Sequence, residues 1–135
     1  MEITASYVQG ARFDITARGH QIICDQPTEN GGADAGMSPP ELLLASLASC
    51  AGYYASQYLG ARGLSREGLH VRVTAEKGTR PARLISFRIE VQVTELSDSH
   101  REGMLRAVKT CLIHNTLAGG SSIEIVIVTP SLLAN

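Results

Sequence analysis

Few side chains in this sequence can do redox or nucleophilic chemistry. The 135-residue chain carries three cysteines, Cys24, Cys50 and Cys111, and four histidines. An odd number of cysteines spread this widely is not the pattern of a disulfide-stapled secreted domain. It points to one or two working thiols in a reducing compartment, the cytoplasm. A thiol reacts as its thiolate and ordinarily titrates near pH 8.5, so a working cysteine needs a cation or a base beside it. His114 follows Cys111 on the same face if that segment is helical, which suits it to act as a base on the thiol. Cys50, Cys111 and His114 could also form a thiolate–imidazole metal site. No fourth ligand accompanies them, so no metal or cofactor is expected. Cys24 closes an apolar strand and reads as a core residue. The plain alternative applies to Cys50 and Cys111 too, because a free cysteine is commonly a small buried hydrophobe.

Composition narrows what such thiols can serve. A hydrophobic fraction of 44% and a charged fraction of 19% describe one ordinary globular domain over residues 1–135. The net charge of −1 excludes a strongly basic nucleic-acid binder, and an aromatic fraction of 4% without Trp leaves little to stack on single strands. The N-terminal MEITASYV has neither the basic nor the apolar region of a signal peptide. The uncharged run Leu42 to Ala61 contains Ser46, Ser49, Ser56, Gln57 and many small residues, so a buried helix fits it better than a bilayer span.

The elements that must position the thiols follow from period and punctuation. Ile3, Ala5 and Tyr7 alternate with polar residues, as do Phe13, Ile15 and Ala17. Gln21 to Cys24 is a short apolar strand, and turns at Gln9-Gly10 and Gly19-His20 join the three into a meander. Pro27 to Met37, rich in glycine, is a loop. Ser38-Pro39-Pro40-Glu41 then starts a helix that runs to about Gly60, with Ser38 as cap, Pro39 at the first turn and Glu41 at the third position. His70 to Lys77 and Leu84 to Thr94 alternate and form a hairpin about Gly78 to Pro81. Ser99 with Glu102 marks a second helix bearing Met104, Leu105, Val108 and Leu112 on one side. A shorter helical turn follows Cys111, and Ile123 to Val128 reads as a last strand. Grouped strands with segregated helices argue an α+β fold with antiparallel sheets. The uncharged Leu42–Leu59 helix, with its small residues, is expected to pack partly against a second copy of the chain in a homodimer.

The segment S-P-P-E-L-L-L-A-S-L-A-S-C, ending at Cys50, resembles the entry to the central helix of the OsmC/Ohr family of hydroperoxide-handling proteins. K-T-C-L-I-H-N-T-L around Cys111, and the meander closing on Asp25 before a glycine-rich loop, are similar to the same family over essentially the whole chain. The resemblance implies an intertwined dimer in which sheets shelter two central helices. It implies that Cys50 is the peroxidatic nucleophile, that Cys111 resolves it, that Arg12 assists the Cys50 thiolate, and that a Glu near the helix start holds that Arg. The expected substrate is a small apolar hydroperoxide and the expected reductant a dithiol. Ser46 and Tyr54, one turn either side of Cys50, share its face, and Tyr54 is a candidate supporting residue together with Glu41 and His114.

The sequence departs from the active peroxidases at two points. Pro40 fills the usual acidic slot, and Glu41, about two and a half turns from Cys50, points to the opposite face of a regular helix. Glu41 then reads as a capping residue. Leu112 stands where the family often has Pro. The pattern is more like a less characterised branch of the family, which keeps a second reading open: a non-catalytic small-ligand-binding or otherwise redox-responsive protein on the same fold.

Overall fold

The computed structural model describes residues 1–130. Strands β1 (Thr4–Gln9), β2 (Arg12–Ala17) and β3 (His20–Cys24) form an antiparallel meander in the order β1-β2-β3. The turns between them use the backbone freedom of Gly10 and Gly19, at φ 54° and 83°. Helix α1 spans Pro39–Ala61, strands β4 (His70–Gly78) and β5 (Arg83–Gln92) pair antiparallel, and α2 (Asp98–Val108) and α3 (Leu112–Gly119) follow. The architecture is α+β, with antiparallel sheets and the helices set apart from the strands, as the alternation and capping signals predict.

Three sequence expectations need correcting. The cap of α2 is Ser97, whose hydroxyl accepts the His100 N–H at 3.4 Å, not Ser99, and Leu112 opens α3 instead of continuing α2. The segment Ile123 to Val128 forms no strand here, although its apolar alternation is real. A strand needs a ladder of neighbouring backbone groups, and the protomer offers this segment none. Ile123, Ile125, Ile127 and Val128 are each more than four-fifths exposed.

The core lies where α1 crosses β4 and α2. Leu47, Ala51, Ala55, Tyr58 and Leu59 form one buried stripe at helical spacing, and Met104 and Val108 of α2 close over it. Gly103 lets α2 approach: a Cβ there would lie 2.7 Å from Tyr58 Cζ. The Tyr58 hydroxyl bonds His100 Nδ1 at 3.1 Å, so this packed aromatic leaves no unsatisfied polar tip. The opposite side of α1 is equally uncharged yet open, with Tyr53 59% exposed. The β1–β3 meander is not among the elements packed on α1, and its Ile3, Tyr7, Phe13 and Ile22 face outward. Among the described residues no helix is long and apolar enough to cross a membrane.

Candidate active site: two thiols at a helix junction

Cys50 and Cys111 come together from distant parts of the chain. Cys50 sits mid-α1, half-buried, with no helix end near it. Cys111 is fully buried at the break between α2 and α3, where Thr110 and Cys111 leave the helical path and α3 restarts at Leu112. The packing of α3 against α1 brings Cys50 near enough to Cys111 to act on its thiol. Cys111 is also the N-cap of α3, its Sγ accepting the His114 backbone N–H at 3.4 Å. Burial pushes the Cys111 thiol up from its ordinary value, and the Cys50 thiol adds to the rise; the N–H groups of His114 and Ile113 oppose it. At neutral pH Cys111 is therefore held as a thiol, while Cys50 is the less buried of the two residues. Cys24 is buried 6% exposed at the end of β3, opposite Phe13, and takes no part.

The other sequence-derived residues fall into three groups. His114 is half-buried and reaches a cavity of about 830 Å³ lined by α1, β5, α2 and α3. That cavity is largely apolar, with Leu47, Phe87, Met104 and Leu117 among its walls; Arg101 and Lys109 also line it, and neither thiol does. Leu84 joins Phe87, Ile89 and Val91 on its wall because Ser86, at φ 56°, takes up a bulge where the β4–β5 register shifts between Thr74 and Glu76. Tyr54 is half-buried on α1 and meets Tyr53 edge-on at 5.3 Å. Glu41 stays at the helix start: its Oε1 accepts the Ser38 hydroxyl at 2.7 Å and the Ser38 N–H at 3.3 Å, which hold the carboxyl below its usual range. The resemblance implies that a Glu holds the arginine, but Glu41 does not; its capping role follows from the position on α1.

Arg12 is not beside Cys50 within the protomer. It opens β2, and its guanidinium bonds Asp14 Oδ1 from Nε at 3.3 Å and from Nη2 at 3.2 Å. The β2–β3 register, with Phe13 opposite Cys24, puts Arg12 across from Asp25. Asp25, only 1% exposed, was not assigned a role from sequence. Its carboxylate accepts the N–H groups of Gln26, Ala33 and Ala35 at 2.8, 3.2 and 3.1 Å, so the glycine-rich loop folds around it. Those bonds, Ala35 first, and the charge of Arg12 lower its pKa. A carboxylate with a depressed folded-state pKa contributes stability at every pH above its unfolded value, and loses it only as the pH falls through the folded one. The signal for this hub was an acidic residue at a strand end followed by the glycines of the loop. Among the described residues, no group of three or more His, Cys, Asp or Glu side chains could hold a metal.

The comparisons bear on the fold and the family. The family profile described as OsmC-like protein matches residues 31–126. An OsmC-like protein of Mycoplasma pneumoniae is 26% identical and superposes with a TM-score of 0.71, over 87% of this chain and 86% of that one. A candidate osmotic stress induced and detoxification response protein of Psychrobacter arcticus is 24% identical with a TM-score of 0.77, over 84% and 85% of the two chains. An organic hydroperoxide resistance protein OsmC of Legionella pneumophila, 18% identical with a TM-score of 0.62 over 87% and 88%, has the same fold. No curated protein matches the sequence. The profile spans the glycine-rich loop from Gly31 on, α1 with Cys50, the β4–β5 hairpin and both helices flanking Cys111, and the chain belongs to the OsmC-like protein family.

Proposed function

We propose that this chain is a thiol-dependent peroxidase that reduces organic hydroperoxides. The nearness of Cys50, half-buried on α1, to the buried Cys111 thiol is the observation that carries the reading. The Cys50 thiolate attacks the distal oxygen of the hydroperoxide. The O–O bond breaks, and the alkoxide takes up a proton to leave as the alcohol. Cys50 is then a sulfenic acid. The Cys111 sulfur attacks it, giving up its proton, and a Cys50–Cys111 disulfide forms as water leaves. A dithiol reductant exchanges through a mixed disulfide, restores both thiols and becomes the oxidised partner. The largely apolar cavity that His114 reaches suits the hydrocarbon part of a small organic hydroperoxide. Such a cycle needs reduced thiols between turnovers, which suits a reducing compartment such as the cytoplasm.

The reading also calls for a second copy. Arg12 is the cation that would assist the Cys50 thiolate, and it stands on a sheet that does not pack on its own α1. The uncharged open side of α1, the outward apolar residues of the meander and the bare Ile123–Val128 segment are surfaces that a homodimer would cover. Sedimentation at micromolar concentration is expected to give twice the chain mass; a single-chain mass would remove the dimer and Arg12's assignment with it.

The direct test is chemical. Cumene hydroperoxide added to the reduced protein should convert Cys50 and Cys111 into one bridge within seconds, leaving Cys24 free, as read by thiol counting and peptide mapping. The engagement of Glu41 with Ser38 favours the alternative, a non-catalytic ligand-binding protein. Slow oxidation spread over all three cysteines would support that alternative and reject the peroxidase.

A further inference from the structure

We propose that Asp14 is a positioning residue for Arg12, fixing the guanidinium that assists Cys50; the inference rests on the dithiol peroxidase reading above. It starts from strand geometry. Residues two apart on a strand share a face, so Asp14 stands beside Arg12 on β2. The carboxylate takes two donors of the guanidinium, Nε and Nη2, at 3.3 and 3.2 Å. Both side chains are partly shielded, at 30% and 27% exposure.

No other carboxylate can do this in the protomer as described. Glu41 is engaged by the Ser38 hydroxyl and N–H. Asp25 stands across from Arg12, but its two oxygens accept three backbone N–H groups, and it acts on Arg12 by charge without a hydrogen bond. Among the described residues Arg12 Nη1 has no hydrogen-bond partner, so Asp14 orients the group and still leaves a donor edge for a thiolate or a peroxide oxygen. A long, flexible arginine loses rotamer freedom when it engages a reacting group, and a neighbour that has already fixed it removes that cost from the reaction. A half-exposed ion pair contributes little to folding, so the effect of Asp14 should appear in catalysis.

The experiment uses the full-length reduced protein with cumene hydroperoxide and dithiothreitol, comparing wild type, Asp14→Asn, Asp14→Glu, Arg12→Gln and the double variant Arg12→Gln/Asp14→Asn. Asp14→Asn is expected to lower kcat/KM for the hydroperoxide about tenfold. Its kcat/KM for the dithiol and its Tm should stay at the wild-type values. Asp14→Glu should recover most of the loss. In the Arg12→Gln background, Asp14→Asn should cost nothing more, because a residue acting through Arg12 has nothing left to position. Undiminished turnover of Asp14→Asn, or an equal further loss in the Arg12→Gln background, would overturn the proposal. A wild type that does not turn over sinks the peroxidase reading and this inference together; an active wild type with an indifferent Asp14→Asn sinks the inference alone.

Discussion

Cys50→Ser is expected to abolish hydroperoxide consumption, a loss of at least about a thousandfold, because the serine hydroxyl cannot supply the nucleophile. Cys111→Ser should behave differently. Without reductant it should consume about one equivalent of hydroperoxide per protomer and stop, with one oxygen added on Cys50 and no bridge. The asymmetry comes from burial: Cys50 is only half-buried, whereas Cys111 is fully enclosed. Mass spectrometry of each variant after a single addition reads both results. Equal consumption by Cys50→Ser and wild type would reject the assignment of the nucleophile, and a bridge surviving in either variant would implicate Cys24.

Leu59→Ala should cost about 2–5 kcal/mol of folding stability. Leu59 is completely buried at the C-terminal end of the α1 stripe, against the layer formed by Tyr58, Met104 and Val108. Tyr58 is pinned by its bond to His100, and Gly103 is already in close contact with its ring. These neighbours cannot collapse into the space a lost isobutyl group leaves, so the cost should sit in the upper half of the range. Thermal unfolding of the reduced protein followed by circular dichroism should show Tm falling by roughly 10 °C or more. A fall of one or two degrees would mean that α1 is not the axis of the core.

Much of this architecture is legible in the residues because local and global signals agree. Alternation at Phe13, Ile15 and Ala17 survives as β2, and the Ser38-Pro39-Pro40-Glu41 start survives as the cap of α1, down to the bond between Ser38 and Glu41. Ile123 to Val128 shows the limit of pattern: alternation states that a segment could pair, and says nothing about whether a neighbour is there. Cys111 as an N-cap was hidden for another reason. Capping is sought among Ser, Thr, Asp and Asn, and a sulfur accepting a backbone N–H falls outside that set. The meeting of Cys50 with Cys111 came from the resemblance, since no periodicity joins residues so far apart. The two-residue face rule pairs Arg12 with Asp14 on β2, whereas the resemblance points to a Glu at the helix start.

The enclosure of Asp25 bears on how freely its loop can change. Gly32 and Gly36 approach the Gln26 and Ile23 carbonyls too closely to carry any side chain, and one carboxylate gathers the amides from within. Shape there is dictated from inside, by three positions. The outer rim at Glu29 and Asn30 is left as spare ground, where a dye, a tag or a grafted peptide should sit without disturbing the sulfurs.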